Sequence, residues 1–510
     1  MSKRRVAIVG TGFGAYGALK GVLGASDLEI VIFDIGLTSP LPEQPDKPVH
    51  NAKPFKGSFF TYGVNDNRWC VKLESERLCS SHALGGHSTV YSGAVLYPKE
   101  SDIKAWPASS RPKPVDYREI LESLHVLHEI DSLEQVFPLY PTTEAVADAP
   151  PEGTSSAILG LSRLAVTEET DSVIAASKGS INNESVKRLK PFQLPAVLHE
   201  LFASKNVVYH DNCYVTKTIR GEAGTYLEYE TNGQNRADLF DAVFLGAGCV
   251  NTTGIVDRSL HGEGSRKYEI KMPGGGIQAF FRFALRAPKV SALRRVNGLP
   301  EFFLEINSPL THGTWSHTQI TMLNEQIVTA VCSKLPPLLH PLVRSVSGMF
   351  YFALSGIHSD FGKSSTLESR TERDQEGNLR YRLIIHECQS GRNPMLSKAV
   401  KRGVLQNWKA LKMVPFPFGE SLADFFKGNR LGGWHFGGTL PMVDRPSSQS
   451  ECDSSGMVSG LKEVYIVDSA AFPSLPASTV ALLIAAHGHR VMRDWLARQA
   501  QTQGNTKHAN

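Results

Sequence analysis

Residues 5–15 read Arg5-Val6-Ala7-Ile8-Val9-Gly10-Thr11-Gly12-Phe13-Gly14-Ala15, and this stretch decides the fold. An apolar run of strand length, 5–9, enters the spacing G-x-G-x-x-A, and residues 15–24 have the character of a helix. A second apolar run, 30–33, ends at Asp34, about 20 residues past the glycines, so strand, glycine turn, helix, strand and terminal acid form the complete dinucleotide fingerprint. Gly10 permits the tight turn, Gly12 lets backbone N–H groups approach a pyrophosphate, Gly14 lies in the same turn, and Ala15 keeps the helix close to the strand. The helix N-terminus then faces the diphosphate charge. Asp34 accepts from the ribose hydroxyls, which favours an unphosphorylated ribose over NADP. Lys3, Arg4 and Arg5 ahead of an apolar stretch also resemble a secretory signal, but the glycine spacing decides for the nucleotide reading.

Outward from this stretch the chain has the size of two or three domains or lobes, at 510 residues and 41% hydrophobic. It contains no apolar run of the ~18 residues that crossing a bilayer needs. The 54 basic and 50 acidic residues nearly cancel to +4, and the cations are scattered, which argues against a nucleic-acid partner. The 7 cysteines, Cys70, Cys79, Cys213, Cys249, Cys332, Cys388 and Cys452, have no repeated short spacing. That argues against a disulfide framework or a zinc cage and for reduced thiols in a cytoplasmic protein.

Five prolines between 38 and 54 rule out regular helix there. Residues 84–94, Leu84-Gly85-Gly86-His87-Ser88-Thr89-Val90-Tyr91-Ser92-Gly93-Ala94, are too rich in small residues for a packed strand and read as backbone running beside a ligand. Helical periodicity covers 120–130, and 137–156 is a Pro/Ala/Thr-rich connection. Alternation predicts strands at 206–218 and 225–231. The apolar run 241–245 enters the small-residue turn Gly246-Ala247-Gly248, with a helix at 250–260. Residues 278–414, with strand-like stretches at 302–306, 317–322 and 381–386, read as a mostly β lobe. A last glycine cluster, Gly432-Gly433-Trp434-His435-Phe436-Gly437-Gly438-Thr439, precedes a strand at 463–467, Asp468-Ser469-Ala470, and a helix at 479–497. Residues 499–510 read as a frayed polar tail. No internal repeat is found.

Taken together, these clusters resemble the glucose/methanol/choline family of flavin-dependent oxidoreductases. The amino-terminal G-x-G-x-x-A is followed by the 84–94 block, which is similar to the family's G-G-x-S segment, and by Asp102 to Pro107 in the place of its acid-x-x-x-W-P stretch. Leu245-Gly246-Ala247-Gly248 resembles the strand-end A-A-G, His435-x-x-Gly438-Thr439 resembles H-x-x-G-T, and Val464-Tyr465-Ile466-Val467-Asp468-Ser469 resembles L-Y-V-x-D-A/S. The order of these motifs makes the resemblance specific, and it spans both ends of the chain.

The resemblance implies FAD. Gly10, Gly12, Gly14, Ala15 and Asp34 would serve its ADP half, with Val215 and Gly246 beside them. Gly85, Gly86 and Ser88 would run along the pyrophosphate and isoalloxazine, and Asp468 and Ser469 would stand at the pyrophosphate and ribityl end. Some members tether flavin through a histidine within the G-G-x-S segment; the matching position here is Val90, which implies non-covalent flavin, although His87 lies close by. The resemblance makes His435 the base that takes a hydroxyl proton while hydride leaves the carbinol carbon for flavin N5. The near-neutral reference pKa of histidine suits that task.

One departure stands out. The family's second histidine or asparagine, before the last helix, is missing from Phe472-Pro473-Ser474-Leu475-Pro476-Ala477-Ser478-Thr479-Val480. The position falls on Leu475, Ser478 or Thr479, and only the hydroxyls of Ser478 and Thr479 offer a hydrogen bond. His487 and His489 read as structural or surface residues.

The fold expected is α/β (α+β overall): a Rossmann-type FAD-binding domain from 1–110, 196–277 and 425–498, a helical and loop insertion at 111–195, and a substrate-binding lobe at 278–424. The activity expected is oxidation of a CH–OH group in an alcohol, sugar or polyol, with an unidentified electron acceptor. A net non-redox lyase or isomerase, or a flavin-binding protein without turnover, is the alternative that the missing partner leaves open. Trp315, Phe350, Tyr351, Phe352, Phe416 and Phe418 suit a substrate pocket and core packing equally.

Overall fold

Alternate residues of strand Arg4–Val9 go to opposite faces of a sheet, and both faces are covered. Val6 and Ile8 belong to one apolar cluster, Ala7 and Val9 to another. Strands Leu28–Phe33 and Ala242–Leu245 divide in the same way, which is why all three read as unbroken apolar runs. These are the central strands of a five-stranded parallel sheet in the order Val464–Ile466, Ala242–Leu245, Arg4–Val9, Leu28–Phe33, Val207–His210. Neighbours in this sheet therefore come from the beginning, middle and end of the chain.

In this computed structural model the described residues are 3–38, 70–73, 81–89, 91, 93–124, 126–127, 156–161, 164–171, 186–281, 302–307, 313–322, 328, 332, 335–346, 350–377, 379–386, 400, 403–404, 414–415 and 435–508.

Helix Phe13–Val22 lies across the sheet and packs against helix Ala481–His508. Small residues let the two backbones touch: a Cβ at Gly17 would collide with the Ala485 carbonyl, and one at Gly488 with the Gly14 carbonyl. The edge of the parallel sheet continues into a three-stranded antiparallel sheet, Cys213–Arg220, Thr225–Thr231 and Gln234–Phe240.

A second region is built on a six-stranded sheet in the order Val414–Pro415, Gly274–Phe281, Phe350–Ile357, Trp315–Met322, Phe302–Asn307, Ser156–Leu161. A four-stranded sheet, Gly264–Met272, Lys363–Arg373, Leu379–His386 and Cys70–Leu73, lies in the order given. Val126–Leu127, Leu164–Asp171 and Val186–Pro191 form a further three-stranded sheet.

Several expectations change. The helix expected over 120–130 is instead Pro114–Ser123, started by Pro114 and by the Asp116 carboxylate, which accepts the Lys113 N–H at 2.7 Å. The strand expected over 206–218 is two strands, broken at Asn212, which has φ 49°. The region 111–195 carries strands as well as its helix, and one of them, Ser156–Leu161, pairs with Phe302–Asn307. The carboxy-terminal tail is helical to His508 rather than frayed. Cys213, Cys249, Cys332 and Cys452 are buried free thiols; Cys79 and Cys388, like the proline-rich 39–54, Val90, Phe416 and Phe418, lie outside the described residues. Among the described residues, no helix is long and apolar enough to cross a membrane.

Candidate active site

Gly10 leaves the first strand at φ 93°, in the left-handed region that favours glycine, and a Cβ there would strike the Gly246 carbonyl oxygen. The turn thereby presses against the second small-residue turn, where Gly248 has φ 84° and starts helix Cys249–His261. Two helix N-termini, those of Phe13–Val22 and Cys249–His261, thus converge at the carboxyl ends of the parallel strands. That is where ligands of such sheets bind, and N-terminal N–H groups attract phosphate charge.

A cleft with about 1090 Å³ of empty space, open mouth included, runs over these termini. Of the residues expected at the cofactor, it is lined by Gly10, Gly12, Gly14, Asp34, Gly86, Val215, Gly246, Asp468 and Ser469. Ala15, Gly85 and Ser88 are not in its wall. Ala15 is buried beneath the turn, its Cβ near Gly246. Gly85 turns at φ 81°, and its N–H donates to Thr11 Oγ1 at 2.8 Å. Ser88 is fully buried, and its Oγ accepts the Leu194 N–H at 3.1 Å, so it fastens the segment before helix Pro195–Phe202. In this short turn the residues presented to the cleft are Gly86 and His87.

Thr11, unremarked in the sequence, turns out to be a junction: it donates to Asp34 Oδ2 and accepts from Gly85. Burial pushes the Asp34 carboxyl up to about 7, against the pull of the Thr11 hydroxyl and the Ile35 and Gly36 amides. Asp468 accepts at one oxygen from Gly248 N–H (2.9 Å) and the Thr252 hydroxyl (2.6 Å), and at the other from Ala470 N–H (2.9 Å). Its carboxylate therefore ties together the starts of two helical segments at the cleft wall. Burial still holds it up, at about 6. The Ser469 hydroxyl donates to the Phe436 carbonyl at 2.8 Å.

That last bond fixes the loop of His435. Further bonds from Gly438 N–H to Ser469 O (2.9 Å), Leu440 N–H to Ala470 O (2.8 Å) and Met442 N–H to Ala471 O (2.9 Å) lace residues 436–442 to 469–471. Phe436 forms part of the cleft wall, whereas His435 itself stands just beyond it, partly exposed. Burial, with a contribution from nearby His317, pushes the His435 imidazole down to about 4. Burial also pushes His87 down to about 4, and its Nε2 is buried without a partner.

The other expected positions differ in character. Leu475 is fully buried and apolar. Thr479 Oγ1 accepts the Leu96 N–H at 3.4 Å, while the Ser478 Oγ is buried without a partner. His487 Nε2 donates to the Ile466 carbonyl at 3.0 Å, and His489 is held between Asp116 and Glu119 at 2.9 Å each, so both are structural. Trp315 packs with Leu96, Ile158 and Phe303 as core.

The cleft fits FAD. No heavy atom lies within 4 Å of where a Cβ of Gly12 would be, leaving that helix N-terminus open to a pyrophosphate, and Asp34 lies where a ribose diol would donate. His87 Nε2 offers an unused polar atom from the facing wall.

Residues 393–488 match the family model described as GMC oxidoreductase. No curated protein matches the sequence significantly. Among solved structures, pyridoxine 4-oxidase from Mesorbium loti aligns over 97% of this chain and 99% of its own, with TM-score 0.58 and 14% identity. An FAD-dependent oxidoreductase from Chaetomium thermophilum aligns over 98% and 100%, with TM-score 0.57 and 11% identity. A fungal aryl-alcohol oxidase aligns over 97% and 100%, with TM-score 0.51 and 12% identity. The carboxy-terminal residues 393–488 thus match the GMC oxidoreductase model, and the chain shares its fold with these oxidases and oxidoreductases.

Proposed function

We propose that this FAD-dependent oxidoreductase oxidises the CH–OH group of a small alcohol, sugar or polyol, with His435 receiving the hydroxyl proton. When bound, FAD supplies the acceptor for the hydride that leaves the carbinol carbon. The observation that carries the reading is the state and setting of His435. At about 4 its imidazole is neutral at neutral pH, so a ring nitrogen has a lone pair open to a proton, and the adjoining Phe436 forms the cleft wall. The hydrogen bonds that lace residues 436–442 to residues 469–471 hold the backbone beside it in place, which helps to position a base.

For the second contact to the reacting oxygen, the reading selects Ser478 over its neighbours. Leu475 has nothing to donate, and Thr479 is held by the Leu96 N–H that it accepts at 3.4 Å, although its own O–H is free to donate. The buried Ser478 hydroxyl lacks a partner, the state in which a donor gains most from a substrate oxygen.

The test is an anaerobic absorbance spectrum of the FAD-loaded protein before and after adding pyridoxine, benzyl alcohol, glucose, sorbitol or glycerol. Bleaching of the flavin band by at least one of them is expected. An intact flavin that none of them bleaches would overturn the reading.

A further inference from the structure

Three buried ionisable side chains stand together at the six-stranded sheet, Glu305 and His317 on its strands and Lys99 against it, and the proposed function uses none of them. Lys99 Nζ lies 2.7 Å from Glu305 Oε2, and Glu305 Oε1 lies 3.0 Å from His317 Nδ1. All three residues are under 10% exposed. Lys99 and His317 together hold the Glu305 carboxyl below its ordinary range in spite of burial, so it is ionised. An ionised Glu305 accepts the proton of His317 Nδ1, which fixes the ring's orientation. The opposite nitrogen, Nε2, is buried with no partner. Burying the Lys99–Glu305 ion pair is costly, and leaving a polar atom of the adjoining ring unsatisfied adds to that cost, so such an arrangement calls for a ligand.

The register says which face of the sheet carries the ring. Glu305 pairs with His317, His317 with Gly356, and Gly356 with Gly275, so the four stand in one cross-strand row on one face of the sheet. A Cβ at Gly356 would come 2.9 Å from the Ala477 carbonyl oxygen, so this face abuts the segment before the last helix, next to Ser478. His435 reaches the same junction from the other side: the Lys271–Gly437 bridge joins its loop to the strand that leads into Gly274–Phe281. The segment of Ser478 and the loop of His435 therefore both adjoin this part of the sheet, and His317 is near enough to His435 to lower the pKa of its imidazole.

We propose that His317 is the second histidine of this active site, donated by the six-stranded sheet, and that its Nε2 holds the reacting oxygen of the substrate opposite His435, beside the contact from the Ser478 hydroxyl. Glu305 and Lys99 are positioning residues that set the orientation of the ring. The inference rests on the alcohol-oxidising reading for the identity of the oxygen, but not for the direction in which Nε2 faces.

Two measurements test it. The first is a crystal structure of the FAD-loaded native protein. An ordered water oxygen within about 3.2 Å of His317 Nε2, on the side of His435, is expected. Nε2 bonded to a protein group, or facing only carbon, overturns the proposal. The second is the anaerobic flavin-reduction rate of His317→Leu and His317→Asn with whichever alcohol bleaches the native flavin. His317→Leu should slow reduction by roughly 100-fold or more, with FAD content and melting temperature close to native, whereas His317→Asn should stay within about tenfold because its amide still offers a hydrogen bond. A His317→Leu variant that folds, binds FAD and is reduced at the native rate overturns it. If His317→Leu does not fold, a His317→Asn rate lowered by roughly 100-fold or more together with native FAD content also counts against the hydrogen-bonding role. If no alcohol bleaches the native flavin, the alcohol reading falls alone, and the crystal structure still decides the placement of His317.

Discussion

The Thr11 hydroxyl donates to the Asp34 carboxylate and accepts the Gly85 amide, so one small side chain ties the glycine turn, the end of the second strand and the facing loop together. Asp34 is thereby held at the cleft, and beyond its bonds to Thr11 and the Ile35 and Gly36 amides its carboxylate keeps acceptor capacity for a ribose. Asp34→Ala should weaken FAD binding by about 10- to 100-fold, the range for a hydrogen bond to a charged group. Titration of the apoprotein with FAD, followed by flavin fluorescence, checks this.

The same carboxyl makes cofactor binding depend on pH. Burial raises Asp34 to about 7, so below that pH the unliganded protein carries a proton that ribose donors must displace. Binding should therefore release a proton and strengthen as pH rises through 7, by about tenfold between pH 6 and 8. Affinities that fall over this interval would contradict the assignment of Asp34 to the ribose.

The proposed base has a different window. His435 lies at about 4, so its neutral form persists from alkaline pH down to mild acid. The flavin-reduction rate should stay level from pH 8 to about 5 and decline only as protonation sets in near 4, instead of breaking at the ordinary histidine value of about 6.5. His435→Ala should reduce the rate by about 10²- to 10⁴-fold with FAD still bound. Stopped-flow absorbance under anaerobic conditions measures both.

The contact between the first and last helices sets much of the stability of the nucleotide-binding region. Gly17→Ala would drive a methyl group into the Ala485 carbonyl, with backbone on both sides and no side chain to yield. It should destabilise the protein by about 1–3 kcal/mol, seen as a lower urea midpoint. Gly24→Ala is the matched control: nothing lies within 4 Å of its Cβ, and a change between zero and about 1 kcal/mol of stabilisation is expected.

The flavin should be held without a covalent bond. Val90 has no nucleophile, and His87, although its Nε2 is unpartnered in the cleft wall, is the residue to exclude. Acid precipitation should leave the yellow colour in the supernatant; colour in the pellet would point to His87, and His87→Ala would then abolish it.

Much of the nucleotide half was legible because its signals are local. The apolar runs at 5–9, 30–33 and 241–245 mark strands covered on both faces, and Gly10 and Gly12 are required by a turn and by an open helix terminus close by in sequence. Signals that depend on side-chain direction were not legible. Ser88 matches the expected motif, yet its hydroxyl turns inward to Leu194 while His87 faces the cleft. Thr11 carries no special pattern because its role depends on Gly85, a residue brought to it only by folding.

What the sequence by itself determined is the dinucleotide turn, the order of the motifs and the histidine of the last glycine cluster, because each is set by spacing over a few residues. The tertiary structure alone decided how the parallel sheet draws adjacent strands from both ends of the chain, and how Lys99, Glu305 and His317 come together. A buried ion pair and an unpartnered ring nitrogen arise from cross-strand register and from the exclusion of water, and neither leaves a periodic trace in the chain.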